Sequence, residues 1–229
     1  MNALILAAGV GSRLGKITTD CPKVLLPIRN QPLLDILIKK LLKLNFEKII
    51  INTFFKAEIV EEFLLAQNYS NKIIVSREKI LLGTAGTLKF NLKVLAVDDF
   101  MVMHGDNYFT DDLSGMLNFH RSDTSKSLMT MGTFITETPE LCGVVEIDEN
   151  YFIKNFYEKV TSPPSNIANS AIYLFKKDSV SLIESLLPHE TDLSKHLIPK
   201  FISLSKAYQL SKTFIDIGTL DRYKLAQHL

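Results

Sequence analysis

The sequence predicts an α/β fold: a mostly parallel twisted sheet with helices on both faces, plus a small region of mixed strands. Three observations predict it. Strand-like and helix-like segments alternate through the first 125 residues or so. The strand-like segments are continuous apolar runs, the mark of strands covered on both faces. Hydrophobic residues make up 46% of the 229, so the chain can bury a full core and disorder is not expected.

Each element has its own justification. Residues 3–8 are an unbroken apolar run and read as a buried strand. Residues 32–44 carry apolar side chains at 33, 34, 37, 38, 41, 42 and 44, the spacing of one helix face. Residues 48–52 form a second buried strand, 57–66 a helix, 73–76 a third strand and 86–95 a helix. A fourth strand, 100–104, ends at Gly105-Asp106, and 113–121 is helical. Residues 127–134 again read as a strand. The pattern then changes. Short strands at 143–147, 153–157 and 171–175 are separated by polar turns and by the loop Ser162-Pro163-Pro164-Ser165. Helices are expected at 179–187 and 192–204, and a last strand at 213–217 runs into Gly218-Thr219. With no internal repeat or clear linker, the expectation is one domain with a Rossmann-like core. Residues 1–125 or so form a nucleotide-binding half, and 126–229 a substrate-shaping half. In such sheets ligands bind beyond the C-terminal ends of the strands, so the turns after residues 8 and 104 could line one crevice.

Composition narrows the function. A formal net charge of +1 implies no broad basic face, which argues against nucleic acid as a partner. Cys21 and Cys142 are the only cysteines and form neither a disulfide framework nor a zinc pattern. The N-terminal apolar run is too short for a signal peptide or a membrane span, so a cytoplasmic enzyme without a membrane partner is expected.

The most informative stretch is Leu4-Ile5-Leu6-Ala7-Ala8-Gly9-Val10-Gly11-Ser12-Arg13-Leu14, followed by Pro22-Lys23-Val24-Leu25-Leu26-Pro27. Glycines let a backbone approach a ligand closely, and turn N–H groups can face an anion. Arg13 and Lys23 add two positive charges near the same turn, so the segment suits a polyphosphate. A dinucleotide fold would need a third glycine where Leu14 stands and an acidic end to the second strand, which is Asn52-Thr53 instead. A P-loop would need glycine at Val10 and a hydroxyl at Ile17.

The pattern L-A-A-G-x-G-S-R-L, then P-K-x-L-L-P-I, resembles the signature of the sugar-1-phosphate nucleotidyltransferases, which join an NTP to a sugar 1-phosphate and release pyrophosphate. Leu82-Gly83-Thr84-Ala85-Gly86-Thr87-Leu88 looks like the family's nucleotide-base loop, and Gly105-Asp106 like its metal turn. Cys142-Gly143-Val144-Val145-Glu146, Tyr157-Glu158-Lys159 and Asn166-Ile167-Ala168-Asn169 resemble its sugar-binding segments. Phe214-Ile215-Asp216-Ile217-Gly218-Thr219 resembles its closing W-x-D-x-G-T. The resemblance covers residues 3 to 223 or so, with no hexapeptide repeat after it.

The resemblance implies roles. Arg13 and Lys23 are the catalytic cations, at the β/γ- and α-phosphates. Leu6, Ala7, Ala8, Gly9, Gly11, Ser12, Arg13, Gly83 and Thr84 hold the nucleotide. Asp106 and Asp216 hold Mg²⁺, which favours one or two carboxylates plus phosphate oxygens. Lys159 meets the sugar phosphate, while Gly143, Glu158 and Asn169 meet the sugar. Asp111 and Asp112 read as a helix N-cap, and His104 as a satisfied near-core histidine. No catalytic histidine is expected.

Two cues for the base conflict. The Gly83 loop, residues 143–146 and 164–169 look like guanylyltransferases acting on mannose or a manno-configured heptose, whereas Ala7-Ala8-Gly9 looks more like uridylyltransferases. The expectation is GTP with a manno sugar, with UTP and then CTP as alternatives. A non-catalytic nucleotide-sugar binder would be expected to lose Lys23 or a metal carboxylate. A glycosyltransferase would need Asp-x-Asp where Asp106-Asn107-Tyr108 stands. A cytidylyltransferase acting on a small phospho-alcohol would have no use for Glu158-Lys159. Oligomeric state is left open, a homodimer being compatible.

Overall fold

The computed structural model describes residues 1–69 and 71–228. β1 (Asn2–Leu6) is the central strand. A short hairpin, β2 (Pro27–Ile28) and β3 (Gln31–Pro32), leads into α1 (Leu33–Lys43). Then follow β4 (Ile49–Thr53), α2 (Ala57–Ala66), β5 (Ile73–Arg77), α3 (Thr84–Leu95) and β6 (Phe100–His104). β7 (Asn107–Phe109), α4 (Ser114–Ser122) and β8 (Met129–Ile135) complete the first part. The second part holds β9 (Gly143–Ile147), β10 (Ile153–Glu158), β11 (Ile167–Phe175), α5 (Val180–Glu184), α6 (Ile198–Phe201), β12 (Ser205–Gln209), β13 (Phe214–Asp216) and α7 (Leu220–His228).

Nine strands form one sheet along the path β10-β9-β11-β6-β1-β4-β5, with β8 and β12 attached through β11. β1, β4, β5 and β6 run parallel, and β11 turns antiparallel against β6, β8 and β9. After β1 the chain builds outward through β4 and β5, then returns to place β6 on the other side of β1. That reversal opens a crevice beyond the C-terminal ends of β1 and β6.

Strand residues alternate between two cores. Ala3 and Ile5 face α1 and its neighbours, while Leu4 faces α3 and the α5–α6 region. α1 buries Leu33, Leu34, Leu37, Ile38 and Leu41 along one stripe. Asp35 in its first turn and Lys40 and Lys43 in its last suit the helix dipole.

Several expectations need correction. The helix expected at 192–204 is a wide π turn over Leu193–Leu197 and one turn of α6, after which the chain becomes strand β12. Pro199 sits in the first turn of α6, where the missing amide is tolerated, and the chain leaves the helix at Ile202 in an extended conformation. β12 buries Ser205 and Ala207, residues too small and polar to signal a strand. The strand expected at 171–175 begins at Ile167 and carries a bulge, with Ala171 at φ 52°. α3 starts two residues before the expected 86. The β2–β3 hairpin, β7 and α7 were not foreseen.

Candidate active site

The phosphate turn begins where β1 ends. Gly11 adopts φ 69°, and a Cβ there would lie 3.1 Å from the side chains of both Lys23 and Thr18. Glycine is therefore favoured by conformation, and the space beside it is tight. Thr18 ties the turn together by donating to the carbonyls of Gly11 (3.3 Å) and Gly15 (3.0 Å). Lys23 is buried, only 6% exposed, in the turn after Pro22.

Gly105 closes the gap between β6 and β1. Its N–H donates to Leu6 O at 2.9 Å, and a Cβ would come within 2.9 Å of that same oxygen. This fixes Asp106 beside the phosphate turn. β7 then pairs antiparallel with β13, opposing Asn107 to Asp216, and Ile217 N donates to Asp106 O at 3.0 Å. Two carboxylates 110 residues apart in the chain thus become neighbours. Lys23 Nζ donates to Asp106 Oδ2 and lies 3.8 Å from Asp216 Oδ1. Burial works to raise the Asp106 pKa, but Lys23 and His104 outweigh it and hold the carboxyl below its usual range.

Gly218 N donates to Asp216 Oδ1 at 2.7 Å. A Cβ on Gly218 would lie 2.9 Å from both Arg13 Nη2 and Asp216 Oδ1, so Arg13 reaches the same turn. The exposed Arg13 side chain has no ion pair or hydrogen bond among the described residues. The structure therefore brings Arg13, Lys23, Asp106 and Asp216 together. Among the described residues no cluster of three or more His, Cys, Asp or Glu side chains forms a metal cage. A pair of carboxylates that leaves the other positions to phosphate oxygens fits Mg²⁺.

A buried network missed by the sequence reading links the turn after β1 to the Gly83 loop. Asn52 Oδ1, at the end of β4, accepts from Ala7 N at 2.6 Å. Asn52 Nδ2 donates to Glu78 Oε1 at 2.8 Å, and Thr87 Oγ1 donates to the same oxygen. Glu78 Oε2 accepts from Leu82 N at 3.0 Å, where the Gly83 loop starts. Asn52, Glu78 and Thr87 are at most 6% exposed. The available signal was a polar residue closing an apolar strand. Gly83 has φ 75°, and Thr191 O would sit 2.5 Å from a Cβ there. Thr84 Oγ1 accepts from Leu193 N at 2.8 Å, docking the loop on the second part of the chain.

β9 and β10 pair Gly143 with Glu158. A Cβ on Gly143 would come within 2.6 Å of Glu158 Oε2 and of the Phe156 ring. Lys159 follows with φ 52°, its N–H on Cys142 O at 3.1 Å and its Nζ 3.6 Å from Glu158 Oε1. Asn169 sits in the β11 bulge with both ends of its amide engaged. Nδ2 donates to Tyr173 Oη at 2.7 Å, and Oδ1 accepts from Ala171 N at 2.8 Å. Any sugar contact from Asn169 is shared with these bonds.

Two minor assignments change. His104 is not satisfied: Nε2 is buried without a partner and Nδ1 lies 4.0 Å from Asp106 Oδ1. Asp111 does not cap α4; it accepts from Ser211 N, Ser211 Oγ and Lys212 N, each at 3.1 Å. Asp112 alone serves the helix start, accepting from Ser114 N at 2.9 Å and Ser114 Oγ at 2.7 Å.

Comparison with known proteins gives the family. The nucleotidyl transferase family model matches residues 2–228. This chain belongs to the sugar-1-phosphate nucleotidyltransferase family. It is 31% identical over 224 residues to the D-glycero-alpha-D-manno-heptose 1-phosphate guanylyltransferase of Campylobacter jejuni, covering 97% of each chain. It is 30% identical to a putative mannose-1-phosphate guanyltransferase of Sulfolobus acidocaldarius, covering 95% of this chain but 60% of that relative's length. The crystal structure of HddC from Yersinia pseudotuberculosis superimposes with a TM-score of 0.82 at 28% identity, covering 99% of this chain and 98% of that one. No helix among the described residues is long and apolar enough to cross a membrane.

Proposed function

We propose that this nucleotidyltransferase joins GTP to mannose 1-phosphate or D-glycero-D-manno-heptose 1-phosphate, giving an NDP-sugar and pyrophosphate. The observation that carries the reaction class is the convergence of Arg13, Lys23, Asp106 and Asp216 at the end of β1. The names of the heptose and mannose relatives support the choice of base and sugar. The relationship to the UTP–glucose-1-phosphate uridylyltransferase of Synechocystis, 31% identical over 97% of this chain, together with Ala7-Ala8-Gly9, keeps UTP as the second reading.

A phosphate oxygen of the sugar 1-phosphate attacks the α-phosphorus. The new O–P bond forms as the bond to the β-phosphate oxygen breaks, and pyrophosphate leaves. The nucleophile is already ionised near pH 7, so these residues need supply no general base. The obstacle is repulsion between anions and alignment of the attack. Lys23 turns from Asp106 toward the α-phosphate, where negative charge accumulates. Arg13 holds the β and γ oxygens. Asp106 and Asp216 are the residues to hold Mg²⁺, which offsets phosphate charge when bound. Backbone groups of residues 6–12 and 83–84 hold the nucleotide. Lys159 meets the sugar phosphate, with Gly143, Glu158 and Asn169 at the sugar. The nucleotide half spans residues 1–125 or so and the sugar half 126–229, within one cytoplasmic domain. Neither nucleic acid nor membrane is a partner in this reading. Pyrophosphate release with Mg²⁺, measured over paired NTPs and sugar 1-phosphates, tests the proposal.

A further inference from the structure

Among the described residues, Arg222 is a cation with no paired counter-charge. It lies in the first turn of α7, where the helix dipole disfavours positive charge. Its guanidinium has no carboxylate partner among the described residues. Its side chain makes one hydrogen bond, from Nη2 to Thr138 Oγ1 at 3.1 Å. A guanidinium has five N–H donors, so most of its capacity is unused.

Its position is defined from two sides. On one side, Arg222 N donates to Thr219 Oγ1 at 3.4 Å, next to the Gly218 turn that packs on Asp216 and Arg13. On the other, Thr138 opens the short turn Pro139–Leu141 that delivers Cys142 and Gly143, and Cys142 O holds Lys159 N. Arg222 therefore spans the gap between the metal-carboxylate turn and the sugar-strand ends. The Cys142 thiol senses the same convergence. Burial pushes it up and its bond to Thr136 pulls it down; Arg222 and Lys159 also pull it down, and Asp216 pushes it up.

We propose that Arg222 is a substrate-binding residue that grips the phosphate of the sugar 1-phosphate alongside Lys159. This rests on the nucleotidyltransferase reading above. The attacking phosphate has to lie between the carboxylate turn and the sugar strands, which is the gap Arg222 spans. A guanidinium fork engages two phosphate oxygens at once and leaves the third to face the α-phosphorus. Lys159, 60% exposed at its side chain and a point charge, fixes charge but not orientation.

The test compares Arg222→Gln, Arg222→Lys, Thr138→Val and the exposed control Lys224→Gln. Steady-state kinetics and calorimetric titration with mannose 1-phosphate are read on each. The inference predicts that R222Q raises the KM and Kd for the sugar 1-phosphate by about ten- to hundredfold, with the NTP KM within about twofold. R222K falls between wild type and R222Q, and K224Q and T138V stay near wild type. An unchanged sugar-phosphate affinity in R222Q, a shift in the NTP KM instead, or an equal loss in T138V or K224Q would overturn it. Equal loss in T138V would make Arg222 a strut for the loop. A wild-type chain that turns over no substrate pair contradicts the proposed function, while calorimetry still decides the role of Arg222.

Discussion

In the proposed reaction, Lys23 is the residue on which the chemistry turns. It is buried, yet its ammonium contacts one carboxylate and lies 3.8 Å from a second. Removing it leaves Asp106 and Asp216 facing each other and takes a cation from the α-phosphate. Lys23→Ala is expected to lower kcat by about 10²–10³-fold with the fold retained, read by pyrophosphate release and circular dichroism. Near-wild-type turnover would take Lys23 out of the mechanism. Asp216→Asn should weaken the Mg²⁺ dependence and the rate together, read as a rightward shift of the metal titration. Residue identities of this kind were largely legible in the sequence, because the motif fixes type and spacing at once. The engagement of Asn169 with Tyr173 and Ala171 was not, since a bulge created by strand pairing leaves little local signature.

At the scale of elements, the Asn52–Glu78–Thr87 network couples the end of β4, the Gly83 loop and the turn after β1. Glu78→Ala would strand Leu82 N and Thr87 Oγ1 without their acceptor and leave Asn52 Nδ2 only its 3.3 Å bond to Thr87 Oγ1. The expected result is a loss of about 2 kcal/mol or more in unfolding free energy, together with a higher NTP KM. Denaturant unfolding and nucleotide titration check both parts. α4 provides a pH probe away from the site. Its His120 is 1% exposed, with Nδ1 on Thr130 Oγ1 at 2.8 Å. Burial, reinforced by Lys176 and opposed by Asp99, pushes its pKa down to about 4. The folded state thus prefers the neutral ring. That stability is complete above the unfolded value near 6.5 and is lost as pH falls through the folded value, by about 3 kcal/mol at most. Unfolding at pH 7, 5.5 and 4.5 should show this loss in wild type and a flatter profile in His120→Gln. The elements themselves were readable where apolar period was strong, as in β1 and α1. β12 and α7 were not, because neither carries a strong apolar period: β12 buries Ser205 and Ala207, and α7 buries Ala226.

Across the whole molecule, the two halves share their supports. β6 pairs with β11, and β7 with β13, so the first 125 residues or so borrow strands and a facing Asp216 from the rest of the chain. An isolated fragment of residues 1–125 would expose the β6 edge and lack Asp216, one of the two carboxylates proposed to hold Mg²⁺. It is expected to give no cooperative unfolding transition and no Mg²⁺-dependent nucleotide binding, by thermal denaturation and titration. The α/β class was legible from the alternation of segments. The bridging role of β11 was not, because antiparallel pairing across 60 residues or more is decided by tertiary packing. The most direct test of the central claim is pyrophosphate release with Mg²⁺ over GTP, UTP, CTP, ATP and dTTP, each against mannose, glucose, N-acetylglucosamine and heptose 1-phosphates. The account predicts strong turnover with GTP and a manno-configured sugar 1-phosphate. Turnover confined to another base or sugar would contradict the proposed specificity, and a blank grid would contradict the proposed reaction.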